Sequence, residues 1–219
     1  MSKTNQKIND VLFIIDATGS MGSAIRAAHQ RATEIARSLQ NTYKDVDFQF
    51  GCICYRDPVD SRGDKHETLD LTSDINKMVN FLSKIDATGG GDGPEDWVGA
   101  YQIALCEISW REGAKTIIHI ADADAHGRRY CGYNNHEEET LKLEPLVFEL
   151  ASMRAVITGM NMNNGASTSF NECKKIYERA KGPKYVIEDF SERGGSRSIE
   201  EKIARSTMTS AHLAYDEYY

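Results

Sequence analysis

Short continuous apolar runs alternate along the chain with segments whose apolar positions recur every three or four residues. The run "VLFII" at 11–15 is closed by Asp16, as expected of a strand buried on both faces. Ile25, Ala28, Ala32, Ile35 and Leu39 then form one stripe, predicting a helix over about 24–41 that ends near "NTYKD". "VDFQFGCICYRD" and "HETLDLT" predict a strand and a shorter one, joined by the turn-rich "DPVDSRGD" as an antiparallel edge hairpin. A helix follows over "DINKMVNFLSKI". After the glycine-rich "TGGGDGPED", Trp97, Tyr101, Ala104, Leu105 and Ile108 give another helix stripe, which the glycine of "REG" stops. "AKTIIHIADAD" repeats the opening pattern of a buried strand ending in a carboxylate. The helix "HEEETLKLEPLVFELA", with a kink or restart expected at Pro145, precedes the strand "RAVITGM", the helix "SFNECKKIYERA", the strand "KYVIEDF" and a last helix "SIEEKIARS". The expected layout is an N-terminal tail at 1–10, one domain at 11–207, and a C-terminal tail at 208–219 whose end, "AYDEYY", frays.

This alternation predicts an α/β fold of the Rossmann-like, doubly wound kind: a mostly parallel sheet with one antiparallel edge strand and helices on both faces. Ligands bind such sheets in the crevice outside the carboxyl ends of the strands. Asp16 and Asp122 both end buried strands, so both are expected on that edge.

Composition narrows the function more than the fold. The 219 residues suffice for a single domain with a sizeable core, and a net charge of -7 with no basic run argues against nucleic acid as a partner. The opening "MSKTNQKIND" lacks the apolar centre of a signal peptide, and no apolar segment reaches the ~18 residues a membrane span needs. A cytoplasmic protein with no membrane partner is expected. Cys52, Cys54, Cys106, Cys131 and Cys173 are odd in number; Cys52 and Cys54 lie too near in sequence for a favourable bridge, so reduced and mostly buried thiols are expected.

The candidate chemistry lies in "DATGSMG". Asp16, Thr18 and Ser20 offer hard oxygen ligands at alternate positions, which in an extended loop point the same way and suit Mg²⁺, Mn²⁺ or Ca²⁺. Gly19 and Gly22 permit a tight turn into the following helix. The competing reading is that Thr18 or Ser20 simply caps that helix.

The same residues resemble the metal-ion-dependent adhesion site of the von Willebrand factor A domain family, whose first strand ends in Asp-x-Ser-x-Ser, with Thr18 standing for the first Ser. The resemblance continues through "GGGDGPEDW", "IIHIADADAHG" and "AVITGMNMN", and is closest in pattern to the A domains of atypical alpha-kinases and their stand-alone relatives. No room for a kinase segment is expected beside the A domain. The resemblance implies metal-mediated protein binding, with Thr18 and Ser20 as direct ligands and Asp16 and Asp122 bound directly or through water. It also marks a gap: Gly93 stands where relatives commonly carry a Thr, so that water or Asp92 is expected to fill the position. A partner presenting an Asp or Glu to the ion is the implied interaction.

Other features carry less. Glu95 and Asp96 precede a helix and are expected to serve its dipole rather than a metal. "GGGDG" follows a helix and lacks a Gly-Lys-Ser or Gly-Lys-Thr, which argues against a nucleotide loop. His126, Cys131 and His136, with Asp122 or Asp124, could supply zinc ligands, but their spacing is no standard zinc pattern and surface-loop positions are expected. His119 is expected as a hydrogen-bonded core residue, and Met160 and Met162 as packing. Two alternatives to a metal-dependent binding module stay open. One is a metal-assisted phosphate hydrolase with Asp16 as nucleophile, disfavoured because Thr18 stands where a second Asp is needed. The other is a degenerate domain that binds partners without metal.

Overall fold

The computed structural model describes residues 6–57, 66–132, 136–190 and 198–219. One six-stranded sheet runs through it, in the order β3 (His66–Thr72), β2 (Val46–Tyr55), β1 (Lys7–Asp16), β4 (Ala114–Ala121), β5 (Val156–Met162) and β6 (Lys184–Phe190). All neighbouring strands are parallel except β2 and β3, which pair antiparallel, as expected for the edge hairpin. The hairpin turn itself, residues 58–65, lies outside the described residues.

The apolar run of β1 lies in the middle of the sheet and its alternation feeds two cores. Val11, Phe13 and Ile15 face α1 (Gly22–Thr42), α2 (Ile75–Leu82) and α7 (Ile199–Tyr218). Leu12 and Ile14 face α3 (Trp97–Cys106), α5 (Glu137–Ser152) and α6 (Ser167–Arg179). A single turn of helix, α4 (Arg128–Cys131), joins this second layer through the buried Tyr130. Cys52 and Cys54 are buried on one face with sulfurs 3.8 Å apart and no bridge, and Cys173 is buried as well.

Three boundaries differ from expectation, each for a physical reason. β1 begins at Lys7 rather than Val11, because the polar Asn9 and Asp10 are buried with their hydrogen bonds satisfied. Asn9 donates to the Ala211 carbonyl and accepts from Thr116, while Asp10 is held by Arg111. α7 continues to Tyr218 where a frayed tail was expected. Its Ala211 and Ala214 are buried, Tyr215 packs on Tyr43 with ring centroids 5.1 Å apart, and Lys7 lies over the Tyr215 ring. α5 runs through Pro145 in one piece. The proline leaves the Leu141 carbonyl without its helical donor, but Leu141 is exposed and water can serve it.

Candidate functional site

The chain leaves β1 to one side of the sheet and returns through β4 on the other, so the carboxyl ends of these two strands flank the crevice of the doubly wound fold. Ile15 pairs with Ile120 across β1 and β4, which brings Asp16 level with Ala121 and next to the Asp122 loop. Asp16 is fully buried. Its Oδ1 accepts from the Thr18 amide at 2.9 Å and the Thr18 hydroxyl at 2.7 Å. Its Oδ2 is buried and makes no hydrogen bond among the described residues.

Above this carboxyl group lies a cleft of about 300 Å³ lined by Thr18, Ser20, Asp92, Glu95 and Asp122 together with the glycines of the first two loops. Four of the five residues expected to hold a metal thus line one cleft, and the fifth, Asp16, lies beneath it. The loops are laced together by backbone: the Thr88 amide donates to the Ala17 carbonyl and the Gly19 amide to the Gly89 carbonyl. Gly89 and Gly90 hold φ of 90° and 93°, a conformation other residues rarely adopt, and a Cβ on Gly90 would touch both Thr18 and Glu95. Asp122 is braced from behind, since a Cβ on Gly165 would stand 1.7 Å from its carbonyl oxygen.

Two expectations about the hydroxyls change. Ser20 lies in a 3-10 turn (Gly19–Met21) rather than an extended loop, yet it still faces the cleft. Neither hydroxyl caps α1: the residue preceding that helix is Met21, and neither it nor Thr18 makes a side-chain capping bond. The capping explanation for Thr18 and Ser20 therefore fails, and their oxygen lone pairs remain open to a ligand.

The acidic residues of the second loop divide. Asp96 does cap α3, accepting from the Gly99 amide at 2.7 Å. Glu95 does not; it is buried, pairs its backbone with the third loop, and turns its side chain into the cleft. Sequence reasoning missed it because two adjacent carboxylates before a helix look alike until the backbone turns them apart. Asp16, Asp92, Glu95 and Asp122 thus crowd one place, and no Lys, Arg or His is among the residues lining the cleft. Burial, reinforced by Asp122, pushes the Asp16 carboxyl up to about 7 against the opposing hydrogen bonds from Thr18. A divalent cation would relieve that conflict, and two hydroxyls with several carboxylates are donors suited to a hard ion.

Beneath the cleft a neutral polar column closes the floor. His119 is fully buried, its two ring nitrogens bonded to the Tyr55 and Tyr101 hydroxyls at 2.8 and 3.0 Å. Burial holds it down to about 3, so it is uncharged at neutral pH and is the core histidine that was expected. Trp97 packs against it at 4.2 Å and donates from Nε1 to the Ala123 carbonyl, fastening α3 to the third loop.

The third loop corrects a further expectation. His126 is buried rather than on the surface, and burial lowers its affinity for a proton. It meets His136 with ring centroids 4.7 Å apart. The carboxylate that joins them is Asp92, not Asp122 or Asp124. Asp124 instead accepts from the Ser169 amide at the start of α6, and Cys131 donates its thiol to the Gly127 carbonyl.

The family profile described as von Willebrand factor A domain matches residues 10–140. Among similar proteins, the alpha-protein kinase vwkA of Dictyostelium discoideum is 30% identical over 94% of this chain, which spans 35% of the kinase. The von Willebrand factor A domain-containing protein 7 of Mus musculus is 33% identical over 42% of this chain and 10% of its own length. The chain therefore spans about a third or less of these relatives. Among solved structures, the pilus adhesin SpaC of Lactobacillus rhamnosus GG superposes with a TM-score of 0.62 at 11% identity, covering 98% of this chain and 32% of the adhesin, a likeness of fold.

Proposed function

Because the chain belongs to the von Willebrand factor A domain family, a family of protein-interaction domains, we propose that its cleft holds one Mg²⁺ or Mn²⁺, with Ca²⁺ as a competitor, and engages a protein partner there. Thr18 and Ser20 would bind the ion directly, with Asp16 and Asp122 bound directly or through water. When bound, the ion supplies a Lewis-acidic coordination position for an anionic oxygen. The observation that carries this reading is the Asp16 Oδ2 atom, buried without a hydrogen bond among the described residues, below two hydroxyls that no helix cap consumes. A buried carboxylate oxygen left in that state is costly unless a cation meets it.

The module is read as non-catalytic. Attack by Asp16 on a phosphoryl group would need an unscreened nucleophile, whereas Asp16 lies beneath Thr18 and bonded to it. Arg56, at the same edge of the sheet, is committed to Glu67 and to the Asp86 carbonyl. Among the described residues no helix is long and apolar enough to cross a membrane, and the buried free thiols fit a reducing compartment such as the cytoplasm.

A partner Asp or Glu remains the natural ligand for the open position, but Glu95 adds a negative charge beside the ion and weakens that attraction. The partner surface around the carboxylate is accordingly expected to be basic. Capture of partners from a cell extract with the wild type, with chelator, and with Asp122→Ala tests this. The expected result is partners recovered only by the wild type without chelator. Identical recovery in all three would place the interaction elsewhere on the domain.

A further inference from the structure

Behind the first site, the third loop and the start of α5 bring a second kind of donor together. One ligand atom from each of Asp92, His126 and His136 lies within 4.8 Å of the other two. His126 is 2% exposed, and neither of its ring nitrogens makes a hydrogen bond among the described residues. A buried imidazole left in this state forfeits the hydrogen bonds water would give it, and the cost stands unless something occupies the space it faces.

The surroundings are those of a ligating histidine pair. His126 Nε2 faces Asp57 at 3.5 Å, and His136 Nδ1 faces Glu138 at 3.5 Å. A carboxylate thus lies near one nitrogen of each ring, where it can orient the imidazole once an ion is bound. Three donors at this separation are nearly closed, since ligands of tetrahedral zinc stand roughly 3.4 Å apart at Zn–N distances of ~2.0–2.1 Å.

We propose that Asp92, His126 and His136 form a second metal site, selective for a nitrogen-preferring ion of the Zn²⁺ type and separate from the hydroxyl-lined cleft. Two imidazoles and one carboxylate suit zinc with a fourth position open to water, and suit Mg²⁺ poorly. Asp92 faces both the cleft and the histidine pair. Zinc would hold this carboxylate on the histidine side, so that it does not fill the place left by Gly93 and does not add its charge to the first site.

Zinc stoichiometry on the chelator-stripped chain, with Co²⁺ absorption as a probe of tetrahedral nitrogen ligation, tests the site. The expected result is one Zn²⁺ per chain in the wild type, retained in Asp16→Asn. Affinity should fall about 10- to 100-fold in Asp57→Asn, the magnitude usual for loss of an orienting carboxylate, and further in His126→Gln and His136→Gln. His126 is buried and its variant can misfold, so the partly exposed His136, with circular dichroism as the check on folding, decides the matter. Zinc held equally well by folded His136→Gln, zinc lost in Asp16→Asn alone, or no zinc in the wild type would each overturn the proposal.

Discussion

Asp16 is held where its two ionisation states have opposite costs. Its raised pKa of about 7, against 3.8 for an ordinary Asp, means that the folded, metal-free protein binds a proton there that the unfolded chain releases. The associated stability is present at acid pH and lost as pH rises through 7. His119 has the opposite sign: with its pKa lowered to about 3 from 6.5, its contribution is present above pH 6.5 and lost as pH falls toward 3. The two trends oppose each other between about pH 4 and 6.5. Asp16→Asn keeps the oxygen that accepts from Thr18 and removes the charge. Metal-free Asp16→Asn should therefore melt higher than the wild type at pH 8 and lose stability more steeply on acidification below pH 6.5. Thermal unfolding in chelator across that range checks it, and a lower melting temperature for the variant at pH 8 would contradict it. At this scale the sequence was readable where a residue's partner is local, as for Asp96 on its own helix. It was not readable where the partner arrives from another loop, as for Glu95 in the cleft or His126 against Asp92.

Among the elements, the succession of strands and helices and the antiparallel edge hairpin could be read from apolar periodicity and turn residues because each strand is either buried on both faces or visibly amphipathic. Boundaries failed where polar residues are buried in pairs, as with Asn9 and Asp10, or where small residues do the packing, as with Ala211 and Ala214 of α7. The turn that precedes α6 shows how an element positions the site from outside it. Gly165 presses on the Asp122 carbonyl, so Gly165→Ala must displace the third loop. The substitution is expected to cost about 1–3 kcal/mol, as overpacking does, and to weaken divalent-ion binding although residue 165 does not line the cleft. Denaturant unfolding paired with metal titration would show this; a destabilised variant with unchanged metal affinity would mean that the third loop does not position the ion.

Across the whole molecule the two edges of the sheet do different work. At the amino edge the buried Asp10 takes the Arg111 guanidinium at 2.8 and 2.6 Å and its amide at 2.8 Å, with Asp47 on the far side of the guanidinium. Arg111→Ala leaves a carboxylate buried without its counter-charge, and should cost roughly 3–5 kcal/mol while metal affinity per folded molecule stays the same. The carboxyl edge carries the opposite arrangement: carboxylates gathered without a cation among the cleft-lining residues, which lowers stability and, on the proposed function, serves to hold an ion. The most direct test is Mg²⁺ calorimetry, because this hard ion avoids the histidine pair. The wild type should bind one Mg²⁺. Asp16→Asn should show no heat, and Gly93→Thr should bind at least about tenfold tighter, a gain on the scale of one supporting ligand contact. Absent heat in the wild type, or equal heats in the wild type and Asp16→Asn, would contradict a cation site at the end of β1.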